Sequence, residues 1–188
     1  MYELAKSQHG FAISKLLPNQ ALIEMFGAAD LFNVAQKTIF VVTFGNENVS
    51  TANLQNQPIV LAVLPSNVKK IDDTSFLGDT NLKEVQLNPA TEEVGHEAFT
   101  ECTALEKINL ENVKEIGNVA FAGCGALKQI NLAKAIVINA EAFAGCTNAK
   151  ITLNDNVEEV GNDAFVGCLH LTYHGNLPGA PWGALGWN

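Results

Sequence analysis

The sequence predicts an α/β repeat, a solenoid of stacked coils that each add one strand to a parallel sheet. A phenylalanine followed three residues later by a cysteine recurs as Phe99 and Cys102, Phe121 and Cys124, Phe143 and Cys146, and Phe165 and Cys168, each pair 22 residues after the last. A fixed period in the twenties marks an architecture whose repeats cannot bury their apolar side without neighbours. After the blocks come the alternations Leu82, Val85, Leu87, then Leu105, Ile108, Leu110, then Leu127, Ile130, Leu132, with polar residues between them. Such period-2 patterning puts the apolar residues inside and the polar ones out.

Taken in order, residues 1–63 do not follow the period and read as an N-terminal capping region. Leu22, Ile23, Phe26, Leu31 and Phe32 fit an amphipathic helix over 19–36, with Asn19 after Pro18 as its N-cap. Strands follow over 38–44 and 59–64, separated after the first by a turn at Gly45–Asn48. These elements would close the first coil, as solenoid ends require; the same helix could instead dock on a partner.

Residues 64–174 hold five coils, the first degenerate, with Phe76 kept and Asp79 in the cysteine position. Ala149, Ile151 and Leu153 give a strand one residue shorter in the fourth coil, and Leu169 to Tyr173 ends the series. Residues 175–188, with Trp182 and Trp187 among glycine and proline, form a short C-terminal cap. Phe76, Phe99, Phe121, Phe143 and Phe165 should stack as a buried aromatic ladder. Gly95, Gly117 and Gly161 either relieve backbone strain where each coil turns or allow close packing, and Asn139 replaces the glycine in one coil.

The repeated pattern Ile-Gly-x-x-Ala-Phe-x-Gly-Cys-x-x-Leu-x-x-Ile-x-Leu resembles the BspA-like leucine-rich repeat family over roughly Leu64 to Tyr173. The stretch from Tyr173 to Ala184 resembles the segment after the last repeat in bacterial members. The resemblance implies a leucine-rich repeat solenoid with its sheet on the concave face, on or outside the cell, binding a host or extracellular matrix protein. It transfers no catalytic residue, because the motif contains none.

On that concave face the outward side chains form two columns, Glu84, Lys107, Gln129, Lys150, His170 and Gln86, Asn109, Asn131, Thr152, Thr172. They are the candidate ligand-binding residues, a polar, nearly neutral strip without an aromatic. Equally, Glu84 beside Lys107 and Asn109 beside Asn131 are cross-strand pairs that favour the sheet itself. Carbohydrate binding would call for exposed aromatics on this face.

The cysteines lie no nearer than 22 residues apart, against two to four for paired zinc ligands, and equivalent side chains run parallel, so they read as buried free thiols. No cofactor or metal site is expected: His9, His96, His170 and His174 are scattered, and no Asp-x-Asp-x-Asp-Gly loop is present. The doublets Asp72-Asp73, Glu92-Glu93 and Glu158-Glu159 read as a solvated edge at one repeat position. Lacking phosphate loop, nucleophile elbow and His-Glu-x-x-His helix, the chain is expected not to be an enzyme. A net charge of −9 with lysine as the sole strong base excludes nucleic acid as partner, and no apolar run suffices for membrane insertion. The first ten residues do not read as a signal peptide. A surface or secreted adhesin-like module therefore rests on the resemblance, and an intracellular protein-interaction scaffold is the alternative.

Overall fold

The computed structural model describes the strand segments 4–6, 11–15, 40–44 and 48–49, and residues 61–64 and 68–188. The helix expected over 19–36 lies outside the described residues. Strands β3 (Phe40–Phe44) and β5 (Leu61–Val63) fall within the runs expected at 38–44 and 59–64. Two further strands, β1 (Leu4–Lys6) and β2 (Phe11–Lys15), join β3 in an antiparallel sheet of order β1-β2-β3, with Phe11 opposite Phe44 and Ile13 opposite Val42. Strand β3 also lies alongside β5.

From there the chain winds as a parallel solenoid, and each coil contributes two strands rather than the one expected. One ladder holds β4 (Asn48–Val49), β6 (Lys70–Ile71), β8 (Glu93–Val94), β10 (Glu115–Ile116), β12 (Val137–Ile138) and β14 (Glu159–Val160) in that order. The other runs through β5, β7 (Glu84–Gln86) and β9 (Lys107–Ile108), then β11 (Gln129–Leu132), β13 (Lys150–Leu153) and β15 (His170–Thr172). Because β4 pairs with β6 and β5 with β7, the parallel ladders reach one rung before Leu64.

A turn closes each coil and carries its phenylalanine. Phe99, Phe121 and Phe143 each donate their N–H to the alanine before the next phenylalanine, at 2.8 Å throughout. Phe165 donates to Trp182 at 3.1 Å, so the C-terminal cap continues the ladder. Adjacent rings stack 5.0 to 5.6 Å apart within 6° of parallel. All five are fully buried, and Trp182 closes the column by tilting against Phe165 and Tyr173. One continuous core thus runs from Ala62 to Trp182.

Among the described residues there is no helix, so the coils bear out the parallel-strand solenoid but not the α part of the α/β reading. The reason is backbone chirality. Each turn passes twice through the left-handed region, at Thr74 and Gly78, Glu97 and Glu101, Val119 and Gly123, Glu141 and Gly145, and Asp163 and Gly167. A right-handed helix cannot propagate through such residues. The glycines Gly95, Gly117 and Gly161 resolve to close packing. None has positive φ, and a Cβ on Gly117 would lie 2.5 Å from the Gly95 carbonyl carbon, inside the coil below.

Three substitutions probe this packing. Phe121→Ala removes a ring stacked on both sides and should lower unfolding free energy by about 3 to 5 kcal/mol in a denaturant titration. Gly145→Ala, where φ is +72° and no atom lies nearer than 3.8 Å to the added carbon, isolates the conformational cost at about 1 kcal/mol. Gly117→Ala should cost more than Gly145→Ala, because backbone rather than a torsion must yield.

Candidate functional site

The side chains expected on the concave face are brought together by strand register. Glu84 lies opposite Lys107, and Gln129 opposite Lys150, which lies opposite His170. In the second column Asn131, Thr152 and Thr172 follow one another. The inward partners Val85, Ile108, Ile130, Ile151 and Leu171 are buried, so alternation holds each outward residue in place. Between β9 and β11 the ladder is reduced to a bond from the Lys128 N–H to the Glu106 carbonyl at 3.2 Å. Over this junction lies an open hollow of about 820 Å³, lined by Glu84, Gln86, Lys107, Asn109, Gln129 and Lys150 and also by Glu106, Lys128 and Asn148.

The residues differ in how their polar groups are used. Asn109 does not pair with Asn131, as the sequence suggested: its Oδ1 accepts from the Leu87 N–H at 2.7 Å and its Nδ2 donates to the Leu87 carbonyl at 3.0 Å. The amide stands in for a peptide group where β9 has ended, so Asn109 is committed to the sheet. Gln86 donates to Glu84 at 3.1 Å, the Lys107 ammonium is 3.8 Å from Glu84, and Thr172 donates to Asn188 at 3.0 Å. Gln129, Asn131, Lys150, Thr152 and His170 make no side-chain hydrogen bond or ion pair with other described residues. Five of the ten expected residues therefore keep their side-chain hydrogen-bonding capacity unused among the described residues. Glu106 and Lys128, bonded to each other at 2.5 Å, line the hollow but were missed, since each sits directly after the first leucine of its run, where two polar residues in a row break the strict alternation. Trp187 was also missed for this face. It is half-exposed and lines a hollow of about 390 Å³ with Lys150, Thr152, His170 and Asn188.

The BspA type leucine rich repeat region matches residues 43–172, in six copies. The chain belongs to that family. No curated protein matches the chain. Among solved structures it is similar to a leucine-rich repeat protein of T. pallidum, at 22% identity over 69% of this chain and 81% of that one, TM-score 0.46. It is also similar to a leucine rich cell surface protein of Faecalibacterium prausnitzii A2-165, at 17% identity over 90% of this chain and 53% of that one, TM-score 0.48. A pneumococcal vaccine antigen matches at 16% identity over 90% of this chain and 48% of that one, TM-score 0.45. This BspA-type chain thus spans about half the length of the latter two.

The family's cysteine column is buried and unpaired. Each thiol donates to the phenylalanine carbonyl of the coil before: Cys102 to Phe76 at 2.9 Å, Cys124 to Phe99 at 3.0 Å, Cys146 to Phe121 and Cys168 to Phe143 at 3.2 Å. Burial pushes the thiol of Cys102 up to about 12 and that of Cys168 to about 11, and raises those of Cys124 and Cys146 as well. No group of three His, Cys, Asp or Glu among the described residues is placed to hold a metal, and no helix there is long and apolar enough to cross a membrane. The acidic doublets do not share one repeat position. Glu93 lies opposite Lys70 and Glu115, whereas Asp72 and Asp73 follow Ile71, where the next coil has Gly95 and His96.

In the first coil Asp79 takes the cysteine position. It is buried, its Oδ1 accepts from the Asn81 N–H at 3.2 Å, and its Oδ2 has no partner among the described residues. Desolvation pushes its carboxyl up to about 6. Since the folded chain holds this proton more tightly than the unfolded one, the contribution to stability is largest at low pH. It falls as pH rises through roughly 4 to 6. Asp79→Cys, which restores the column, should flatten that part of the stability profile and raise stability at pH 7.5 by about 2 to 3 kcal/mol in parallel denaturant titrations.

Proposed function

We propose that this chain is a non-catalytic protein-binding module, adhesin-like and acting at the cell surface or after secretion, whose ligand occupies the concave sheet face. The observation that carries the reading is the set of uncommitted side chains Gln129, Asn131, Lys150, Thr152 and His170 on consecutive, register-locked strands beside a hollow of about 820 Å³. A rigid sheet holding hydrogen-bonding groups at fixed intervals loses little entropy on binding. Concave solenoid faces suit extended protein ligands for that reason. Membership of the BspA-type family supports the same role. Among the described residues no nucleophile, base and orienting group accompany these side chains, and the BspA-type repeat supports recognition rather than turnover.

Binding of the purified chain to immobilised extracellular matrix proteins, host-surface glycoproteins and cognate cell lysate, at two salt concentrations, tests this. The combined substitution of Gln129, Asn131 and Thr152 by alanine should weaken saturable binding to a matrix or surface protein at least about tenfold. Asn109→Ala is unsuitable as a probe because it unpairs Leu87. Capture from lysate alone, or loss only when residues 19–36 are altered, would replace the adhesin reading with an intracellular scaffold.

A further inference from the structure

Charge on this solenoid is segregated by side. Over the hollow stand Lys107, Lys128 and Lys150 with Glu84 and Glu106, and His170 continues the row beyond Lys150. Away from this face acids outnumber bases: Glu92, Glu93, Glu115, Glu158 and Glu159 stand on and beside the two-residue strands, where Lys70 and Lys114 pair with Glu93 and Glu92, in a chain of net charge −9. Both acids over the hollow are engaged. Glu106 is bonded to Lys128, whose hydrogen bond, with the nearby Lys83 and Lys107 charges, holds its carboxyl below the usual range. Glu84 accepts from Gln86 and lies 3.8 Å from Lys107. Lys150 is exposed and its ammonium meets no described carboxylate. The face therefore offers cationic charge that the protein itself does not neutralise.

We infer that the occupant of this face is an acidic peptide segment, laid across the coils with its carboxylates at Lys107, Lys150 and His170 and its other polar groups on Gln129, Asn131 and Thr152. This deepens the protein-binding reading above and rests on it. Neighbouring parallel strands are about 4.8 Å apart, so Lys107 and Lys150, two coils apart in one column, are separated by about 10 Å, close to the rise of three residues of polyproline II chain, in which every third side chain faces the same way. An acidic partner is repelled by the remaining surface and drawn to this side, which favours one docking orientation. A sulfated glycan suits the face less well. Glu84 and Glu106 interrupt the cations, and no arginine is present to grip sulfate bidentately.

Fluorescence anisotropy with a labelled peptide carrying Glu at every third position and Ser between, the same peptide with Gln for Glu, and a heparin-derived oligosaccharide tests the inference on the whole chain. The Glu peptide should bind saturably, at least about tenfold more tightly than the Gln peptide, with affinity falling as salt is raised. Lys107→Glu with Lys150→Glu should abolish the preference, whereas Lys134→Glu, away from the hollow, should leave it intact; matched thermal melts show that each variant is folded. Equal binding of the two peptides, binding indifferent to the double reversal, binding of the oligosaccharide alone, or no binding of any probe would overturn it. Should a panel protein lose binding with Gln129, Asn131 and Thr152 removed while the Glu peptide fails, the face remains the binding surface and only the acidic occupant falls.

Discussion

Stacked phenylalanine rings at 5.0 to 5.6 Å set the geometry on which the rest of the chain depends. An offset aromatic stack and a parallel β-ladder have nearly the same repeat distance, so one translation from coil to coil satisfies both. Every coil must then close on itself with the same rise on all sides, and the remaining sequence features serve that closure. The thiols are one example. A cysteine fills a small buried space and still gives its proton to the phenylalanine carbonyl below, joining the turn column across coils without a charge.

Closure within so few residues demands backbone shapes that L residues disfavour. Two left-handed positions per coil supply the turn: the second is glycine in four coils, and the first is never glycine. Thr74 and Val119, at φ +56° and +59°, are the most costly of these, being β-branched. Inter-coil bonds such as Val119 N–H to the Ala140 carbonyl at 3.0 Å hold the conformation that an isolated turn would abandon. Stability of one coil is thereby tied to its neighbours, as expected where repeats lack a core of their own.

The residues that repeat could be read from sequence because repetition exposes a spatial column directly: the phenylalanines, the thiols and the outward face all follow from the period alone. What escaped reading was local. The second ladder is built from two-residue strands, too short for alternation to register, and its presence is signalled only by one apolar residue per coil such as Val94 or Ile116. Glu97, Glu141 and Asp163 carry no glycine to announce a left-handed turn. Asn109 has the composition of a surface amide and the job of a backbone group, a distinction that depends on where β9 ends and not on residue type. Asp79 was visible as a departure from the column, but the cost of burying its carboxyl required knowing that no second partner reaches Oδ2.

The same division separates stability from recognition. Positions facing inward are held nearly invariant from coil to coil by stacking distance and turn chirality, so they carry no information about a partner. Outward positions in the sheet are constrained only to be compatible with a strand, and there the chain alternates charge, amide and hydroxyl from coil to coil: Glu84, Lys107, Gln129, Lys150 and His170 in one column, with Thr152 following Asn131 in the next. A sequence selected for sheet stability alone would cross-pair opposite charges along the whole column. Here Glu84 and Lys107 do so, while Gln129, Lys150 and His170 do not, although a carboxylate beside Lys150 would be readily accommodated on an exposed strand. The end of the column that forgoes internal pairing is the end whose polar groups remain available among the described residues, and it is on this difference that the proposal of a recognition surface rests.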